Sequence, residues 1–212
     1  MELTLVQKIA VYALPILFAI TVHEAAHGYA AKYFGDLTAE KLGRITLNPL
    51  KHIDLFGTII LPALTVMLGG ILFGWAKPVP VNFANLKQPK KDMLWVAAAG
   101  PASNFVMAVC WALLLNYANY APNTAVNFLA EMSLAGISIN LVLMVLNLLP
   151  MPPLDGGRIA VSLLPTPMAI QLARLEQYGF IILIVLMFTG ILGKIISPII
   201  HWFERLIYVV FM

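Results

Sequence analysis

The chain has little charge and almost no cysteine. Of its 212 residues 11% are charged and 61% hydrophobic, and Cys110 is its one cysteine. A single cysteine excludes an intrachain disulfide. Soluble domains carry about 25% charge, so this composition, with a mean hydropathy of +0.88, excludes an ordinary globular protein and predicts an integral membrane protein. No internal repeat or low-complexity tract is present, which argues against the paired halves of many transporters. The net charge is only +3, and lysines in cytoplasmic loops explain it, so no nucleic-acid partner is expected. The first apolar stretch lacks an A-x-A cleavage site and reads as a retained transmembrane helix.

The apolar runs predict an all-α, polytopic helical bundle of about five to six segments. The first helix is expected over about Val6–Tyr33, with Pro15 inside it. A polar stretch from Lys32 to Asp54 follows. Within it, Arg44–Asn48 alternates with period two before Pro49, which fits either a small membrane-associated strand element near residues 43–54 or a loop. Leu55–Trp75 is apolar but carries Pro62, Gly69, Gly70 and Gly74. Further apolar runs are Met93–Tyr117, Met132–Leu149, Tyr178–Leu192 and Ile195–Met212; the last, carrying His201, Glu204 and Arg205, can either span or lie at the interface.

Positive charge sets the expected orientation. Residues 76–92 hold four lysines and 117–131 no Lys or Arg, so Met93–Tyr117 should run outward from the cytoplasm. The basic loop 32–54 places the end of the first helix on the same side, so Leu55–Trp75 should enter and leave the membrane on one face. The domain expectation is one membrane domain over 1–212, with a core at about 6–158 and accessory helices at about 170–212.

The first helix contains His23-Glu24-Ala25-Ala26-His27. In a helix, positions i and i+4 share a face, so both imidazoles can reach one metal ion, with Glu24 beside a bound water as general base. Three ionisable groups within five positions of an apolar helix are costly and read as functional. A catalytic zinc site needs a third protein ligand and an open position. Asp155 is the candidate: Pro150, Pro152 and Pro153 precede it, and Gly156-Gly157 follow and permit a tight turn. A turn-forming or helix-capping role is the alternative for this aspartate.

Together with Gly100-Pro101-x-x-Asn104 and Asn147-x-x-Pro150-x-Pro152-x-Leu154-Asp155-Gly156, this pattern resembles the site-2 proteases, in a short form without a PDZ module. The resemblance covers roughly Ile9 to Arg158. It implies an intramembrane zinc metalloendopeptidase with one Zn²⁺ per chain on His23, His27 and Asp155, Glu24 as the base, and Asn147 holding the substrate or developing oxyanion. The substrate implied is a transmembrane or membrane-anchored protein. The implied location is the cell membrane, multi-pass, with the site toward the cytoplasm. Asn104 is a further candidate for substrate contact, with helix packing as its alternative. Thr46, in the expected strand, would receive an unwound substrate by edge addition. Two readings compete: a transporter or channel using the intramembrane His, Glu and Asp, and an inactive homologue that only binds.

Overall fold

The structure, a computed structural model, describes residues 4–60, 76–120 and 124–211. Three long helices form its centre: α1 (Leu5–Tyr33), α3 (Pro89–Tyr120) and α4 (Thr124–Asn147). A short α2 (Thr38–Lys41) lies between the first two. Thr4 starts α1 by accepting from Gln7 N, while the Gln7 side chain accepts from Thr4 N; this reciprocal box satisfies two otherwise orphaned donors. Pro89 opens α3 at the first helical position, where its missing N–H costs nothing. Pro15 and Pro101 are both fully buried inside continuing helices.

Among the described residues three helices are long and apolar enough to cross a membrane: Ile9–Tyr33, Pro89–Ala118 and Phe128–Asn147. After α5 (Asp155–Leu163), helices α6 (Thr166–Arg174) and α7 (Glu176–Phe188) meet at 60°, and as a bent pair they make a fourth candidate. Of the five to six apolar segments expected, three or four are candidate spans among the described residues, and most of Leu55–Trp75 lies outside those residues. The final helix, α8 (Ile191–Phe211), is excluded from that set by Lys194, Glu204 and Arg205.

The long helices pack antiparallel and close. On α3, Val96, Gly100 and Asn104 meet His27, His23 and Ala19 of α1, successive i+4 positions running in opposite directions. Ala108, Ala112 and Leu115 of α3 pack with Ile137, Leu141 and Met144 of α4 and with Ile200 and Ile207 of α8. Without a hydrophobic drive between helices in lipid, such small residues gain by allowing close backbone approach. Gly136 shows how close: a Cβ there would lie 2.4 Å from the Trp111 ring.

The end of α1 and the start of α3 are tied on one side of the bundle. Lys87 N donates to Phe34 O at 3.0 Å, and the fully buried Asp36 accepts from the Asn82 and Thr38 backbones and from the Asn85 amide. Burial pushes the Asp36 carboxyl up, but these bonds outweigh it and hold the group below the usual carboxylate range. The flanks of the apolar stretch after Asp54 also meet, since Lys77 N donates to His52 O at 2.9 Å. Its part from 61 to 75, with Pro62, Gly69 and Gly70, lies outside the described residues.

The expected strand does not form; the described residues contain none. Residues 45–47 bend instead, and the Thr46 carbonyl is taken by His52 Nε2 at 2.9 Å. The neighbouring stretch without regular structure, 76–82, cannot supply a ladder either. Pro78 and Pro80 have no N–H, and Arg44 Nη2 occupies the carbonyls of Lys77 and Pro78 at 3.0 and 3.3 Å.

Candidate metal centre

His23 and His27 project from the last third of α1 toward α3. His23 Nδ1 donates to Asn104 Oδ1 at 2.6 Å, and His27 Nδ1 donates to Val96 O at 2.7 Å. Because both acceptors are oxygens, both protons sit on Nδ1, and each Nε2 presents a bare lone pair. The two Nε2 atoms are 3.1 Å apart, and with both rings in this tautomer that contact is not a hydrogen bond.

Asp155 closes the triangle. After α4 the chain turns at 148–154, and Asp155 is the first residue of α5, where the positive end of the helix dipole favours a carboxylate. Its Oδ2 lies 3.2 Å from His23 Nε2 and 3.3 Å from His27 Nε2. The three side chains are only 10, 12 and 11% exposed, and among the described residues Asp155 Oδ2 has no hydrogen-bond partner. Two lone pairs and a carboxylate oxygen in one buried spot repel unless a cation lies among them. Ligands of one tetrahedral zinc at about 2.0–2.1 Å stand ~3.3 Å apart, so the donor set fits that ion.

Glycines set the approach of every element. A Cβ on Gly100 would lie 2.5 Å from His27 Nε2 and 2.6 Å from His23 Nε2. Gly156 and Gly157 do not provide turn conformations, since neither has a positive φ. Their role is contact: a Cβ would meet Leu148 O at 2.3 Å and Pro152 N at 2.2 Å respectively. The expected tight turn is thus a tight packing of α5 on the loop before it.

A cavity of about 150 Å³ opens on the triangle and is lined by Glu24, Asn147 and Arg158 as well as by Val79. Glu24 Oε2 accepts from Val79 N at 2.7 Å, which fixes the carboxylate beside the triangle. Asn147, at the end of α4, also donates to Leu143 O at 3.0 Å. Arg158 lies with its guanidinium carbon 5.3 Å from the centre of the Phe83 ring.

Two expected substrate contacts are not in this cavity. Asn104 is fully buried behind His23 and orients that ring. Its amide donates to Asn140 Oδ1 at 3.0 Å and Ala19 O at 3.3 Å, and Asn140 Nδ2 donates to Gly136 O at 2.8 Å. Thr46 lies in the bend outside the lining. The sequence reading missed Asn140 and Val79. An amide within an apolar span was a usable signal for Asn140; a backbone donor such as Val79 N–H leaves none.

The profile of peptidase family M50 matches residues 11–135 and 118–190. YwhC of Bacillus subtilis (strain 168), named for a zinc metalloprotease, is 40% identical over 88% of this chain and 84% of its own length. Two proteins called Rip2, named in the same way, are 37% identical (Mycolicibacterium smegmatis) and 30% identical (Mycobacterium tuberculosis, strain H37Rv), each over 88% of this chain and 70% of the relative. No solved structure matches the chain.

Proposed function

The chain belongs to peptidase family M50, a family of zinc metalloproteases, and from that premise we propose that it is an intramembrane endopeptidase acting on transmembrane or membrane-anchored proteins. The observation that carries this reading is the triangle of His23 Nε2, His27 Nε2 and Asp155 Oδ2, at 3.1–3.3 Å, beside Glu24 in one cavity among apolar spans.

His23, His27 and Asp155 would hold one zinc ion. Bound there, zinc supplies a Lewis acid and a water of lowered pKa. Glu24 acts as general base: Val79 N–H holds Oε2, leaving Oε1 to take the proton of the attacking water and pass it to the leaving amine. Asn147 spends one amide N–H on Leu143 O, and its second can donate to the oxyanion that develops on the scissile carbonyl. The cavity is too small for a helix ~10 Å across, so the substrate must enter unwound. The location proposed is the cell membrane, with several spans, and the basic residues at the site end of the bundle, among them Lys32, Lys87, Lys90 and Lys91, favour the site facing the cytoplasm.

The test is zinc per chain in purified wild type and Asp155→Ala, followed by proteolysis with Glu24→Gln. The expected result is one zinc in wild type and little in Asp155→Ala, with Glu24→Gln keeping zinc and losing cleavage of a reconstituted transmembrane substrate. Wild type without zinc after resupply, or an active Glu24→Gln, would overturn the reading.

A further inference from the structure

Helix α8 has three faces. Leu192, Ile200 and Ile207 are buried, with Ile196, Phe203 and Phe211 partly covered beside them. Ile195, Ile199, Trp202, Leu206 and Val209 are exposed and apolar. Between these faces runs a polar stripe: at 100° per residue, Lys194, Ser197, His201, Glu204, Arg205 and Tyr208 fall within about 100° of arc.

This helix does not cross the bundle at one level. Phe203 packs edge-on against Phe105, with ring centroids 5.8 Å apart, and Asn116 Nδ2 donates to Phe211 O at 2.8 Å. Both contacts advance in the same direction, so α8 runs parallel to the second half of α3. Phe105 is close to the middle of the span Pro89–Ala118. His201, Glu204 and Arg205 are therefore carried at membrane depth, where exposed ionisable groups are costly and call for a partner. Among the described residues, His201 Nδ1 pairs with Glu204 Oε2 at 2.9 Å, the two side chains being 71% and 29% exposed, and the exposed Arg205 has no ion-pair partner.

We propose that this stripe is the contact face for a second copy of the chain, with the two α8 helices side by side about a two-fold axis along the membrane normal. An acid and a base at adjacent positions share one level of the helix. A two-fold axis sets Glu204 of each copy against Arg205 of the other, two reciprocal pairs from one patch. A partner helix bearing charge of one sign would satisfy only one of the two residues. The apolar residues Trp202 and Val209 flank the stripe and extend the packing surface.

Cross-linking in vesicles tests this. With Cys110 replaced by Ala, single cysteines are placed on the stripe (Ser197→Cys, Tyr208→Cys) and on the apolar face (Ile195→Cys, Leu206→Cys). The full zinc-loaded chain is then oxidised in dilute phosphatidylcholine–phosphatidylglycerol vesicles. Disulfide-linked dimers are expected from the stripe positions, at least tenfold over the apolar-face positions. Glu204→Arg and Arg205→Glu should each abolish most of that yield, and the combined swap should restore it, which a variant that merely misfolds cannot do. Zinc content, unchanged in all of these variants, reports that the bundle is intact. Equal yield from both faces, no yield from the stripe, or single reversals without effect would overturn the proposal. So would capture of a different membrane protein in native membranes while the purified chain stays monomeric.

Discussion

Asn104 on α3 and Glu204 on α8 lie near the same level of the bundle, yet their surroundings are opposite. Asn104 is fully buried, and both its amide oxygen and its amide nitrogen are bonded, to His23, Ala19 and Asn140. Glu204 is half-buried at the edge of an outward helix face, with one histidine beside it. Inside the bundle, every polar atom left without a partner costs its full desolvation, so the network must be complete within the chain. On the outer face that completion can come from elsewhere. The contrast separates positions where a substitution damages the metal centre from positions where it changes only what the chain touches.

Breaking the inner side of this contrast should have the largest effects. Gly100→Val, which removes no ligand, puts a side chain into the imidazoles; zinc per chain should fall from one to near zero, measured by metal analysis. Asn104→Leu leaves His23 Nδ1 unpaired and its ring free to turn. Zinc affinity should fall about 10–100-fold in competition with a chelator, the usual cost of losing a partner behind a metal-binding histidine. Asn140→Leu strands one N–H of Asn104 without touching a histidine, and should cost about 1–3 kcal/mol in stability with a smaller change in zinc affinity.

Outside the span, Asp36→Asn weakens the tie between α1 and the 82–85 stretch. Because the folded carboxyl is held below its usual range, its stabilisation is complete above the unfolded value and disappears as pH falls through the folded one. Wild type should therefore melt above Asp36→Asn at neutral pH, and the gap should close on acidification. The smallest effect is expected from Glu40→Ala, which removes an exposed pair with Lys32; melting should change by no more than about 0.5 kcal/mol equivalent.

How legible the molecule was depends on the range of each interaction. His23, Glu24 and His27 were readable because helix periodicity alone puts i and i+4 on one face. Asp155 was readable because prolines and glycines mark a break in an apolar run. Residues 44–48 stayed open between strand and loop because alternation over five residues does not reveal whether a partner edge exists; the bend forms, and the neighbouring 76–82 stretch has prolines where donors would be needed. Asn104 stayed open between substrate contact and helix packing, since nothing local says whether an amide faces a cavity or the back of a ring; in the fold it lies behind His23.

Composition and periodicity by themselves determined that this chain is a helical membrane protein bearing a two-histidine motif, because bilayer thickness and helix pitch act on consecutive residues. Only the tertiary structure decided the tautomers of both histidines, the arrival of Asp155 within 3.3 Å of each, and the Val79 N–H held against Glu24. These depend on how closely α1, α3 and α5 approach: Gly100 lets α3 meet imidazoles more than seventy positions away in the sequence, and Gly156 and Gly157 seat α5 on the loop that precedes it.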